Sequence, residues 1–217
     1  MPLQPGQPLL APPLKRLHPN LLKTTYHLGD SSNHTQLCVT FQSHLFSKSK
    51  PSTIIHSGPD ASFPALAYLT KEGTFSDNTY VHIPNTVGGG EEGEETVVHF
   101  RSNVVSGGGW KNIIHRFSMD LGATKRTEDF EWKMVTFGMK SEDGSYGFEL
   151  RHLRDGGAPE VVATLGMGKM SLSKKFTWRL VGDGAKGVFG REWEMVALAT
   201  AVRTERLEID RLSASAS

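Results

Sequence analysis

Large apolar and polar residues alternate at period two through most of the chain, the pattern of strands with one buried face. Residues 36–42 (QLCVTFQ) place Leu37, Val39 and Phe41 on one side. Segment 52–56 follows, then 64–70, in which Leu66 and Tyr68 alternate with Ala65 and Ala67. Segments 79–83 and 96–101 flank a loop, VGGGEEGEE, whose like charges and glycines predict mobility. A second glycine run, 107–109, precedes the apolar-rich segment 110–117. The later half is more regular: 130–137 (FEWKMVTF), 146–153 (YGFELRHL), 160–165 (EVVATL) and 175–181 (KFTWRLV) all read as strands. Asp143-Gly144, Asp155-Gly156-Gly157 and the glycines of 166–168 separate them. Asp-Gly pairs supply the positive φ of tight hairpins, so consecutive strands are expected to be antiparallel neighbours.

The pattern changes at the end of the chain. Residues 191–212 (REWEMVALATAVRTERLEIDRL) contain no Gly or Pro and are rich in good helix formers. Met195 to Val202 is apolar all round, which predicts a buried helix about 12 Å long. Arg203 to Arg211 alternates charges, which predicts a largely solvated second half with Leu207 and Leu212 as contacts. The pattern therefore predicts a mainly β fold of about ten antiparallel strands, closed or nearly closed around one buried C-terminal helix. The expected core of helix and walls includes Trp132, Trp178, Trp193, Val196, Ala197, Leu198 and Ala201.

Length and charge narrow the organisation. The chain has 217 residues, a net charge of +1 and one cysteine, Cys38. That suits one domain over 21–212, with a Pro-rich flexible leader at 1–20 and a tail at 213–217. A flexible tail is the simplest reading of the leader; docking of its PGQP, PLLAP and PPLKR stretches to a protein partner is the other. No strong global field draws in nucleic acid, and none is expected as a partner. No stretch approaches the ~20 apolar residues of a spanning helix, so no transmembrane segment is expected. The lone cysteine fits a reducing compartment.

Chemical motifs are weak. Nine histidines include neither HEXXH nor HX3–5H, so no metal is expected. Residues 182–187 (GDGAKG) match GxGxxG and follow a strand, but that strand alternates Phe-Thr-Trp-Arg, where a dinucleotide-binding strand is apolar throughout. A Gly-rich turn into the helix is the simpler reading. Asp143 occupies the first position of what would otherwise be GxSxG. Trp110, Trp132, Trp178 and Trp193 suit either core packing or a carbohydrate platform, and core packing is preferred.

FEWKMV at 130–135, YGFELRHL, EVVATL, KFTWRLV and above all REWEMVALATAVRTERLE resemble the tubby C-terminal-like superfamily, and in particular its small fungal members. The group includes the tubby domain, phospholipid scramblases and LURP-one-related proteins. The resemblance covers 130–212; over 22–117 only the strand count fits. It implies a roughly twelve-stranded barrel around a central helix, which makes the expected fold an antiparallel barrel of about ten to twelve strands with one buried C-terminal helix. It also implies a non-enzymatic binding or scaffold protein, cytoplasmic or peripheral at membranes, that recognises phosphoinositides or other anionic lipid headgroups without a cofactor. The basic residues nearest to such a site are Lys133, Lys174, Lys175 and Arg179; ordinary solvated strand faces and turn ends are the alternative. A ligand- or carbohydrate-binding sandwich or barrel of another family, and an enzyme with an unrecognised site, are the rival functional readings.

Overall fold

A computed structural model describes residues 13–17, 24–30, 34–42, 50–73, 76–84, 95–104, 113–121, 126–136, 146–167 and 176–215. Twelve strands run in chain order: β1 (Leu14–Leu17), β2 (Thr25–Gly29), β3 (Thr35–Phe41), β4 (Thr53–His56), β5 (Ala65–Lys71) and β6 (Thr79–Ile83), then β7 (Thr96–Val104), β8 (Ile113–Leu121), β9 (Arg126–Thr136), β10 (Tyr146–Leu153), β11 (Glu160–Met167) and β12 (Thr177–Leu180). Each pairs antiparallel with the next, and β1 pairs with β12 to close the barrel. A short helical turn α1 (Gly182–Ala185) and the long helix α2 (Gly190–Ser215) follow. The expected fold class is the observed one.

Antiparallel neighbours joined by tight turns need no crossover helices, so a single meander generates the wall. Alternation then sorts its two faces. One inward row runs His115–Trp132–Leu150–Ala163–Leu180 across β8 to β12. These residues, with Phe130, Phe148 and Trp178, lie in the core. Between β10 and β11, Gly156 takes φ +70°, as the sequence predicts for a hairpin glycine.

After β12 the chain doubles back. Gly184 lies against the Val162 carbonyl and the Trp193 ring, where a side chain has no room. Gly182, Gly187 and Gly190 adopt positive φ, so the GDGAKG stretch is a turn that aims α2 back into the barrel. Trp193, Val196, Ala197, Leu198 and Ala201 are all buried, as expected. Trp132 Nε1 donates to Thr200 Oγ1 at 3.0 Å, tying helix to wall.

Four differences from the sequence-based expectation have physical reasons. Residues 14–17, within the expected leader, form β1, whose Leu14 and Leu17 are buried. A four-residue strand between prolines is too short to show alternation. Strand β2 was likewise not separable from its surroundings. On β5 the inward residues are Ala67 and Leu69, while Leu66 and Tyr68 are only half-buried on the outside. A small Ala67 leaves room for α2, which packs against β5 and β6. Finally, the charged half of α2 is not solvated: Arg203, Thr204, Glu205, Leu207 and Glu208 are all buried. The expected loop mobility at 87–94, the Asp143-Gly144 turn and Trp110 lie outside the described residues.

Candidate functional site

Two arrangements of charge stand out, one inside the barrel and one on its outer wall. Inside, the Glu205 carboxylate pairs with the Arg16 guanidinium of β1. Arg16 also stacks 4.1 Å above the Tyr26 ring of β2. Burial raises the Glu205 carboxyl, and Arg16 opposes that rise. Burial and the neighbouring Glu205 push the Tyr26 phenol well above its ordinary range. Two residues earlier, Arg203 donates to Thr79 Oγ1 at 2.9 Å and to the Asp77 carbonyl at 3.1 Å. Glu208 accepts from Arg211 at 2.7 Å, and burial raises its carboxyl. Tyr146 is pushed up to about 12 by burial and by Glu208 and Glu205. The helix thus fills the lumen with apolar packing in its first half and with paired charges in its second.

His115, 1% exposed, faces this interior between the Phe100 and Phe148 rings. Burial, then the Arg211 and Arg203 charges, push it down to about 3. A histidine lowered on folding must shed its proton to fold. Its contribution is fully present above the unfolded value near 6.5 and is lost as pH falls from there towards 3. At 1.36 kcal/mol per pH unit, the loss over that range is on the order of 5 kcal/mol. Replacing His115→Phe is expected to flatten this part of the stability profile. Urea midpoints of both proteins at pH 7, 5.5 and 4 measure it, and parallel profiles would contradict the assignment.

Outside, strand register assembles a basic band. One row reads Arg101–Arg116–Glu131–Arg151 across β7 to β10. The adjacent outward row reads Asn103–Ile114–Lys133–Glu149–Thr164–Arg179, from β7 to β12. Arg116 is fixed on Glu131 at 2.6 Å and Arg151 on Glu149 at 2.7 Å. Arg101 is the direct cross-strand partner of Arg116, and its Nε donates to His99 Nδ1 at 3.2 Å. Lys133 makes no ion pair among the described residues. Five cations against two carboxylates leave this band cationic.

Of the four residues singled out from sequence, Lys133 and Arg179 share one outward row and are half-buried, as their alternation requires. They stand three strand steps apart, a quarter of the twelve-stranded wall and roughly 14 Å along it. Lys174 and Lys175 lie outside the described residues. Register sets Lys133 diagonally beside Arg116 on β8 and Arg151 on β10, with Arg101 one strand beyond Arg116. Sequence alternation marks Lys133 as outward-facing, but only register shows which cations lie beside it.

A second outer face, over β5 to β7, carries stacked Tyr68–His82 and Tyr80–His99 pairs, with ring centroids 4.5 and 4.6 Å apart. These rings present their faces to each other. Among the described residues, no three of His, Cys, Asp and Glu gather as metal ligands. Also among them, no helix is long and apolar enough to cross a membrane.

No family model, curated protein or solved structure matches the chain.

Proposed function

We propose that this barrel is a non-enzymatic binding module of the tubby C-terminal-like kind, working at the cytoplasmic face of membranes. Its outer wall over β7 to β9 takes anionic phospholipid headgroups, with Arg101, Arg116 and Lys133 as the contact residues. The observation that carries this reading is the Arg101–Arg116 cross-strand pair. Glu131 holds the Arg116 guanidinium and His99 Nδ1 accepts from Arg101 Nε at 3.2 Å, so two positioned cations stand on neighbouring strands with further N–H groups that a phosphate can accept from. Lys133 on the next strand adds an ammonium group to the same cluster. Arg179, a quarter of the wall away, reaches a flat surface only at its margin. The lumen, filled by α2, favours an outer-surface ligand over a carried one. The mutual stacking of the Tyr and His rings disfavours a sugar platform on the β5 to β7 face.

Each basic side chain near an anionic bilayer contributes about 1 kcal/mol. The Arg101→Ala/Lys133→Ala double variant is therefore expected to bind anionic vesicles about 30-fold more weakly than wild type at low salt. Arg179→Ala should weaken binding about fivefold at most. Co-sedimentation with phosphoinositide-containing and neutral vesicles, at low and moderate salt, measures both. If the wild-type protein binds neither vesicle, the lipid reading fails. If it binds and the double variant binds equally, the wall is misassigned.

A further inference from the structure

The barrel has one seam that differs from all others. Eleven of its pairings join strands consecutive in sequence, while β1–β12 joins the two ends of the sheet. The seam is short: Leu14 faces Trp178 and Lys15 faces Thr177, and the Arg16 amide donates to the Phe176 carbonyl at 3.2 Å. On its other side β1 pairs with β2 at only three positions. Strand β1 is the first of the described strands and joins the rest of the wall through the single connection to β2.

The seat it occupies is nevertheless specific. Leu14 joins the apolar core, Leu17 packs against Gly29 on the other face of the strand, and Arg16 places a guanidinium between the Tyr26 ring and the Glu205 carboxylate. Without β1, both β2 and β12 present unpaired backbone edges, and Glu205 loses its cation. Only a strand of the form apolar–x–Arg–apolar restores both. The segment that fits best is another copy of Leu-Lys-Arg-Leu at 14–17. Seven residues lie between β1 and β2, a reach of up to roughly 23 Å.

We infer that β1 is an exchangeable strand, and that the β2–β12 seam of one copy accepts β1 of a second copy of this chain. The product is a reciprocal dimer in which each barrel is completed by its partner's Arg16. Every contact of the closed monomer is re-formed in that dimer except those of the connection itself. Exchange therefore needs a slow opening step and no new interface. Weakening the Arg16–Glu205 contact hastens opening, and concentration drives the dimer.

Cysteine trapping tests this on the full chain, in a Cys38→Ala background. Lys15 and Thr177 are direct cross-strand neighbours of the closer, non-hydrogen-bonded type, a spacing that a disulfide spans. One chain carrying both Lys15→Cys and Thr177→Cys should close an internal disulfide. Next, a chain with Lys15→Cys alone is incubated at high concentration with one carrying Thr177→Cys alone, then oxidised. The heterodisulfide is expected to exceed, by about tenfold or more, that formed with a control chain carrying Val97→Cys on the exposed far wall. Glu205→Gln in both copies should accelerate its appearance, and size-exclusion chromatography should show a dimer. Failure of the internal disulfide would overturn the described seat. A good internal disulfide with heterodisulfide no greater than the control would overturn the exchange.

Discussion

Ala197→Asp is expected to abolish stable folding, or to cost more than about 4 kcal/mol, the range reserved for a buried, unpaired charge. Ala197 is fully buried on the apolar half of α2, with Val196, Leu198 and Ala201 around the same turns. An aspartate there has three poor options: ionise without a partner, protonate at a cost that grows with pH, or push the helix off the wall. Because burial raises such a carboxyl, its folded value lies above the unfolded one. The penalty is therefore smallest in acid and largest at neutral pH. Chemical denaturation of wild type and variant at pH 5 and pH 7 measures both the size and the pH dependence. A variant that melts like wild type would mean that α2 does not lie inside the barrel.

The second large effect belongs to the charged end of the helix. Arg16→Met leaves Glu205 buried without its cation, and the expected cost is about 3–5 kcal/mol. Glu205→Leu strands Arg16 in the same way. Both side chains are only 5% exposed, so water cannot take the partner's place. The Arg16–Tyr26 stacking is lost in the first variant and kept in the second. Arg16→Met should therefore be somewhat the more damaging of the two. Both should exceed the change from Arg206→Ala, whose Asp210 partner is exposed.

Much of this architecture was legible in the chain. Residues 79–83 and 146–153 have the strand limits that alternation predicts, and Glu160–Met167 extends its predicted strand by two residues. The apolar ring from Met195 to Val202 marked a helix with no solvent face, and the structure buries all of it. Its charged continuation was misread for a definite reason. Alternating charges usually face water, and the groups that satisfy these lie far away in sequence. Arg16 is 189 residues from Glu205, and Thr79 is 124 residues from Arg203. No local pattern encodes such a pairing. Strand β1 escaped for a related reason: its role depends on closing the barrel against β12, which only the three-dimensional path of the meander brings about.

The outer wall repeats the lesson. The sequence showed that Lys133 and Arg179 point away from the tryptophans on their strands. It did not show that Arg101 and Arg116 meet across β7 and β8, because that depends on the register of two strands.

The central claim is that the helix lies inside the barrel along both its apolar and its charged halves, so that β1 and the end of α2 are bound by a buried ion pair. The most direct test is the coupling free energy between Arg16 and Glu205, from urea unfolding of wild type, Arg16→Met, Glu205→Leu and the double variant at neutral pH. A desolvated pair predicts that the double variant recovers most of the loss, with a coupling of about 2–4 kcal/mol. Near-neutral single variants with a coupling below about 0.5 kcal/mol, as for an exposed pair, would place the charged half of α2 in water and contradict the account.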